Sequence, residues 1–302
     1  SPGNLEKIIS QEYHGTKITS LKLSGQINRS DLDYLADYHA ASLINLNMYD
    51  VRIVGDDEEK DVLSFKSKQY GISNFRMLSN LVLPKTLRKI DDYAFCGAQL
   101  TGSIRLPEGL EEIGIEAFSH CSLYGKLELP KSLRILRAGA FYGNRFTGEL
   151  VLPDGLEIIG PDESSQYRPI FEGSRFSGSY NLPSNLKYYY GLPLPGMTGD
   201  IVIPQGVKEV VAQSHLGSTC TSLIMPEGVA KIGHKAFSES LLQGEVRFPN
   251  SCRLIGREAF AGTKITGVIL HDDISFIGAG AFSDTRISGR VVLPQSLNSV
   301  SD

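Results

Sequence analysis

The chain has 302 residues, of which 41% are apolar and 21% charged, and 34 acidic residues nearly balance 30 basic ones to give a net charge of −4. This composition is typical of a folded protein and excludes a disordered chain. The sequence has no basic run of the kind that follows a phosphate backbone and no apolar stretch near the ~20 residues that cross a bilayer. We therefore expect no nucleic acid partner and no transmembrane segment in this chain.

The first 40 residues predict a helical cap. A short amphipathic helix follows Asn4 and carries Leu5, Ile8, Ile9 and Tyr13. A second helix is predicted to begin at Ser30, which has Asp33 three residues further on in the pattern of a capping box. Such a cap is expected because an array of stacked repeats cannot cover its own first apolar face. Residues 1–40 are therefore predicted to form the N-terminal cap, and residues 41–78 a first repeat with an acidic polar insertion.

Residues 79–302 contain ten repeats. The clearest copies are LVLPKTLRKIDDYAF (81–95), IRLPEGLEEIGIEAF (104–118), LELPKSLRILRAGAF (127–141) and VRFPNSCRLIGREAF (246–260). An anchoring proline recurs, with one histidine in its place, at Pro84, Pro107, Pro130, Pro153, Pro183, Pro204, Pro226, Pro249, His271 and Pro294. Apolar residues three and six positions after each anchor predict two buried rows of a solenoid.

The residues before each proline predict a β-strand with one buried face. SIRLP, KLELP and ELVLP alternate with period two, and the strand ends where proline removes a ladder donor. Two repeats, CTSLIMP and ITGVILH, are one residue shorter than those that enter the strand through a glycine. These glycines are predicted to permit a one-residue bulge: Gly102, Gly125, Gly148, Gly178, Gly199, Gly244 and Gly289.

A row of small or polar residues follows each Ala-Phe pair by three positions and is predicted to bond to the turning backbone of neighbouring repeats. Its members are Ala98, Cys121, Asn144, Ser240, Thr263 and Thr285. Cys121, Cys220 and Cys252 are predicted to be buried structural thiols, with disulfides or metal binding as the alternative. His215 occupies a phenylalanine position and is predicted to be a buried, hydrogen-bonded histidine, with a catalytic role as the alternative.

Units of the form LxLPxSLxxIGxxAFxxCxxLxG resemble the BspA-like leucine-rich repeats over residues 79–302, and ASLINLNMYDVRI (41–53) fits the generic pattern. The resemblance implies a right-handed leucine-rich repeat solenoid with a parallel β-sheet on one face and short strand, turn and 3-10 segments on the other. It also implies a secreted or surface-anchored bacterial protein, with adhesion to host matrix proteins or to other cells as the family's best-known role. The chain opens with Ser1, so any export or anchor segment is expected to be missing from it.

The array is irregular over residues 160–220. PDESSQYRPIF follows Gly160, and KYYYGLPLPG (187–196) replaces the usual Ala-Phe region. Tyr189 falls in the inward row, so Tyr188 and Tyr190 are predicted to project outward. Bulky aromatic side chains there can fill the space of the missing phenylalanine. Alternatively, Tyr188 and Tyr190, together with Tyr167, form an aromatic patch for a protein or a glycan.

The sequence does not favour catalysis. Its six histidines lie at no metal-ligand spacing, and HExxH, GxSxG and phosphate-loop motifs are absent, so neither an enzyme nor a cofactor is predicted. The outward residues two positions before the anchors form a row, in which six of ten are apolar and β-branched: Val82, Arg105, Glu128, Val151, Asn181, Val202, Ile224, Arg247, Ile269 and Val292. This row is either a contact surface or a result of strand propensity.

Three hypotheses about function follow. The first is a surface or secreted protein that binds host matrix or other surface proteins through the sheet face. The second is capture of polysaccharides through Tyr188 and Tyr190. The third is a passive spacer that holds another domain at a distance. Substitutions in the tyrosine patch and in the outward row discriminate between them.

Overall fold

The computed structural model describes residues 1–13, 15, 17–55, 60–65, 75–160, 168–178, 182–189, 198–213, 215, 217–297 and 299–300. Over these residues the chain is a solenoid of parallel strands with few helices, as the repeats predict. The chain forms two compact units. The first comprises residues 1–147 and 170–174, and the second residues 148–169 and 175–302.

The first unit begins with helices, as predicted. Helix α1 spans Leu5–Tyr13, helix α2 spans Arg29–Tyr34, and a π-helical turn continues α2 over Leu35–His39. Their apolar faces are buried through Leu5, Ile9, Leu32 and Leu35.

The predicted start of the second helix is wrong by two residues. Asn28, not Ser30, is the N-cap, since its side chain accepts the backbone N–H of Asp31 and the Asp31 carboxylate accepts the N–H of Asn28. This reciprocal pair satisfies donors that a helix start leaves unpaired. The carboxylate of Asp31 also accepts the N–H groups of Gly3 and Leu5 at 2.7 and 2.9 Å, so a single buried side chain joins the starts of α1 and α2.

The first unit has strands both before and after each proline. They are β1 (Ser20–Ile27), β2 (Asn45–Ile53), β3 (Val62–Leu63), β4 (Asn80–Val82), β5 (Lys89–Ile90), β6 (Thr101–Gly102), β7 (Glu112–Ile113), β8 (Ser122–Gly125), β9 (Ile135–Arg137) and the start of β10 (Arg145–Glu149). The strands before the prolines pair in parallel as β1-β2-β4 and β6-β8-β10. The short strands after the prolines pair as β3-β5-β7-β9. We call the two sets the first and the second sheet face.

The second unit repeats this arrangement. Its strands are β11 (Ile158–Gly160), β12 (Arg175–Ser177), β13 (Tyr188–Tyr189), β14 (Asp200–Val202), β15 (Glu209–Val210), β16 (Ser222–Ile224), β17 (Lys231–Ile232), β18 (Gln243–Arg247), β19 (Leu254–Ile255), β20 (Lys264–Ile269), β21 (Phe276–Ile277) and β22 (Ser299–Val300). On the first sheet face β14 pairs with β16 and β18 with β20. On the second, β11 pairs with β13, and β15-β17-β19-β21-β22 form a ladder.

Rows of identical positions form the core. The apolar residues three and six positions after the anchors are buried in both units, for example Leu87 and Ile90 in the first and Val229 and Ile232 in the second. Phenylalanines of successive repeats stack on one another. In the first unit the stack is Phe95, Phe118, Phe141 and Phe171, with centroids 5.5 to 5.9 Å apart. Stacked aromatic rings therefore fill the core between neighbouring repeats of this stack.

The strand glycines adopt the predicted left-handed backbone, but the bulge lies elsewhere. All seven have a φ between 76° and 108°. Strand β18 belongs to a repeat with such a glycine, and it pairs with β20 of a shorter repeat. Gly244 pairs with Ile265 and Glu245 with Gly267, which leaves Thr266 of β20 unpaired. Gln243, at the start of β18, pairs with Lys264, at the start of β20, which is only 21 residues further on. The shorter repeat therefore loses its residues in the turn before β20, not within the strand.

The small polar row bonds to the backbone of a neighbouring repeat at only some of its positions. Asn144 donates to the carbonyl oxygens of Phe118 and Phe141 at 2.8 and 2.9 Å, and its side-chain oxygen accepts the N–H of Leu123. Thr263 and Thr285 each donate to a carbonyl of their own turn: Phe260 and Phe282, both at 2.8 Å. In contrast, the hydroxyl of Ser240 is buried without a partner among the described residues.

The glycine that follows the second buried row allows turns to approach closely. A Cβ atom on Gly114 would lie 2.5 Å from the backbone nitrogen of Asp92, and one on Gly278 equally close to that of Arg257. Both glycines have an ordinary φ, so the constraint is the distance to the neighbouring turn. Gly109, five residues before Gly114, has only a carbonyl oxygen at 3.8 Å from its Cβ position.

We predict that Gly114→Ala lowers the free energy of unfolding by about 1–3 kcal/mol, because the added methyl overpacks the contact between turns. Gly109→Ala is the matched control and should change it by less than ~0.5 kcal/mol. Urea denaturation of both variants measures the difference. Equal losses in the two variants would contradict the close-approach explanation.

Candidate binding surface

The outward row lies on the surface as the strand alternation predicts. Where described, its members are exposed, except for Ile269, which is partly exposed. The inward neighbours of Val202, Ile201 and Ile203, are buried, whereas Val291 and Leu293 beside Val292 are exposed. Asn181 lies outside the described residues.

The two units carry different parts of this row. The first unit has Val82, Arg105 and Glu128, and Glu128 forms an ion pair with Lys126 at 3.1 Å. The second unit has most of the apolar members, with exposed fractions of 64% for Val151, 47% for Val202, 53% for Ile224 and 65% for Val292.

Strand register brings members of the row together. Val202 of β14 pairs with Ile224 of β16, and Arg247 of β18 pairs with Ile269 of β20. A hydrogen bond of 3.0 Å from the N–H of Gln243 to the carbonyl of Thr221 connects the segments of β16 and β18. Neighbouring side chains are therefore about 4.8 Å apart across the strands. We call Val202, Ile224, Arg247, Ile269 and Val292 the apolar row.

Six exposed carboxylates flank the outward row of the second unit. Two positions before the row are Glu149, Asp200 and Glu245, and three positions after it, where the chain turns, are Asp154, Glu227 and Asp272. Sequence reasoning missed them, although they occupy fixed repeat positions. None of the six forms an ion pair with a described residue. Their contacts are with neutral groups, such as the Ser222 hydroxyl on Asp200 and the N–H groups of Asn250 and Ser251 on Glu227.

On the second sheet face, acidic side chains form ion pairs. Its carboxylates meet bases of the neighbouring turn, as in Arg88 with Glu111 at 2.9 Å and Lys231 with Glu209 at 2.6 Å. Lys89 and Arg137 both approach Glu112, at 3.6 and 3.4 Å. The acidic residues named here are therefore neutralised on the second sheet face, whereas the six carboxylates on the first sheet face of the second unit have no described ion pair.

The tyrosine patch is described only through its backbone. Register pairs Tyr188 with Ile158 and Tyr189 with the buried Ile159. Tyr167, Tyr190 and the side chain of Tyr188 lie outside the described residues. The patch stays a prediction.

Polar groups in the core are structural. The four cysteines are buried thiols that form no disulfide among the described residues, and burial raises the pKa of Cys252 to about 11 and that of Cys121 well above its usual range. His215 is fully buried and stacks on Phe237 at 5.0 Å and 5°, in the stack that continues through Phe260 and Phe282. No group of three or more metal-ligating side chains occurs in the described part of the chain. No helix there has the length and apolar character needed to cross a membrane.

The buried position of His215 gives stability a predictable pH dependence. Burial lowers its pKa from 6.5 to about 3, so below pH 6.5 the unfolded chain takes up a proton that the folded protein excludes. Stability from this residue is complete above pH 6.5 and is lost as the pH falls towards 3.

We predict that His215→Phe removes this dependence. Between pH 7 and pH 5 the wild type should lose ~2 kcal/mol more unfolding free energy than the variant, from 1.36 kcal/mol per pH unit below 6.5. Urea denaturation at the two pH values measures the difference. An equal loss in both proteins would show that His215 is protonated without cost to the fold.

Comparison with known families agrees with the repeat pattern. The family described as "BspA type Leucine rich repeat region" matches residues 68–188 and 198–302 in six copies. A comparison with curated proteins gave no match.

Solved structures with a similar chain course include bacterial leucine-rich repeat proteins. One from Bacteroides ovatus is 14% identical, with 88% of this chain and 80% of that chain covered and a TM-score of 0.43. A leucine rich cell surface protein from Faecalibacterium prausnitzii is 19% identical, with 90% and 80% covered and a TM-score of 0.40. YopM from Yersinia enterocolitica is 16% identical, with 93% and 68% covered and a TM-score of 0.35.

Proposed function

The chain belongs to the BspA-type leucine-rich repeat family, and we propose that it is a non-enzymatic cell-surface or secreted protein that binds a protein partner on its first sheet face. The observation that carries the proposal is the exposure of Val202 and Ile224 side by side on paired strands. Isolated apolar residues are common on protein surfaces, but a continuous row across strands is typical of contact sites.

The energetics of this surface fit a macromolecular partner. Fully burying a valine or isoleucine contributes roughly 1.5–3 kcal/mol. Val202, Ile224 and Val292 are about half exposed or more, so covering them supplies a few kcal/mol in total. That amount gives a useful affinity only together with polar contacts around the row, because association itself has a large entropic cost.

The setting and the partner class come from the family. BspA-like proteins are known from the bacterial cell surface and exterior, and the proposed partners are host matrix proteins or proteins of other cells. Polysaccharide binding through Tyr188 and Tyr190 is the alternative partner hypothesis. A passive spacer is the alternative without a ligand.

We predict that Val202→Ser with Ile224→Ser weakens partner binding at least tenfold, since each tenfold step corresponds to ~1.4 kcal/mol. A screen of the purified chain against immobilised matrix proteins and soluble polysaccharides first identifies the ligand. Leu241→Ser is the matched control because Leu241 is also apolar and 40% exposed but lies outside the row.

Three outcomes separate the hypotheses. Loss of binding in the row variant and not in the control supports the proposal. If binding is instead lost in a folded Tyr188→Ser, Tyr190→Ser variant, the tyrosine patch is the site. If the row variant binds every ligand as the wild type does, the first sheet face is not the binding surface.

A further inference from the structure

We propose that the partner presents a basic amphipathic helix, which lies across the strands of the second unit with its apolar stripe on the apolar row. Its lysine or arginine side chains would then meet the carboxylates on both flanks. This inference rests on the proposed function and specifies the chemistry of the ligand.

The spacing of the row favours a helix. From Val202 to Ile269 there are three strand steps, or about 14 Å at about 4.8 Å per step. A helix that crosses the strands presents an apolar residue every three or four positions, or every 4.5–6 Å at 1.5 Å per residue. An extended peptide presents side chains on one face only every ~6.7 Å and matches the steps less well.

The charges determine the sign of the ligand. Of the flanking carboxylates, Asp200 and Glu245 lie two residues before Val202 and Arg247, about 7 Å along the strand direction. Glu227 and Asp272 line the opposite flank. The basic residues at these repeat positions of the second unit are Arg247 within the row and Arg290 on the first flank. An apolar stripe between two acidic flanks is complementary to an apolar helix face bordered by bases, and it repels acidic ligands and phosphates.

Among the described residues, the carboxylates of these flanks differ from those of the second sheet face in forming no ion pair. Glu209 of the same unit is equally acidic and also on a strand, but Lys231 lies 2.6 Å away and neutralises it. In the first unit, Glu128 and Lys85 of the corresponding columns are paired with Lys126 and Asp50, each at 3.1 Å. Within the described residues the flanks of the second unit therefore offer carboxylates that a ligand can pair with at no cost of breaking an existing ion pair.

The test measures fluorescence anisotropy of a labelled 18-residue helix of leucine and lysine, patterned so that the leucines form one stripe. A second probe has glutamate at every lysine position. The wild type should bind the lysine probe at least tenfold more tightly than the glutamate probe in 50 mM salt, with a smaller difference in 300 mM salt. Circular dichroism and a melting curve establish that each protein variant is folded.

Four variants locate the site. Asp200→Asn with Glu245→Gln should weaken binding of the lysine probe at least tenfold, and Val202→Ser with Ile224→Ser should weaken it similarly. Arg247→Ala should tighten binding severalfold, because it removes the base within the row. Glu209→Gln is the control and should leave the affinity unchanged, because its carboxylate is already paired with Lys231.

Several outcomes would overturn the inference. Equal affinity for the two probes, or an equal effect of Glu209→Gln and the Asp200/Glu245 pair, would show unspecific attraction. If neither probe binds but a ligand from the screen depends on Val202 and Ile224, the helix inference is wrong and the proposed function stands. If the substitutions at Val202 and Ile224 change the binding of no ligand, both the helix inference and the proposed function are wrong.

Discussion

The backbone of each turn of this protein is satisfied by the next turn along the solenoid. The N–H groups of Phe95 and Phe118 donate to the carbonyls of Ala117 and Ala140, and in the second unit those of Phe237 and Phe260 donate to Ala259 and Ala281, all at 2.8 Å. A buried peptide group without a partner is costly, so successive turns must stay within hydrogen-bond distance. The other features of the fold follow from that distance. Gly114 and Gly278 leave room for the neighbouring backbone, the aromatic rings stack at one ring per turn, and Asn144 bridges turns with its side chain.

Stacking also lines up equivalent positions of the repeats into rows, and a row acquires a chemistry of its own. On the second sheet face, neighbouring residues within a row carry opposite charges, as Arg88 and Glu111 or Lys89 and Glu112 do. The ion pairs that result support the register of short strands such as β5 and β7. On the first sheet face of the second unit, the outward row runs beside six carboxylates that form no ion pair with a described residue. A face whose charges are paired with one another attracts a charged ligand only weakly. A face with unpaired charges keeps an electrostatic potential that can attract a ligand of opposite charge to its apolar area. The two faces of one repeat can therefore have separate roles, one in cohesion and one in recognition.

The repeat positions allowed much of this to be predicted. Strand alternation placed Val202 and Ile224 outward, and the anchor rows placed Leu87 and Ile90 inward, because period and anchor together fix which side chain faces the core. His215 in a phenylalanine position was recognisable as a core residue for the same reason. The N-cap was misplaced because both Asn28 and Ser30 are good capping residues, and only the reciprocal hydrogen bonds between Asn28 and Asp31 distinguish them. The one-residue difference between the two kinds of repeat was assigned to the strand. A sequence gives the length of a repeat but not the position at which the residue is missing.

The sequence by itself determined the family, the solenoid, the buried rows and the outward row, since all of these depend on periodicities that can be read directly from the sequence. The tertiary structure alone decided which charges are neutralised. Asp200 and Glu209 are both acidic, both on strands and only nine residues apart, but register places Ser222 beside the first and Lys231 beside the second. It also decided that the apolar members of the row concentrate in one compact unit. Both depend on contacts between residues some 22 positions apart, and a contact at that separation is a property of how turns stack rather than of any local pattern.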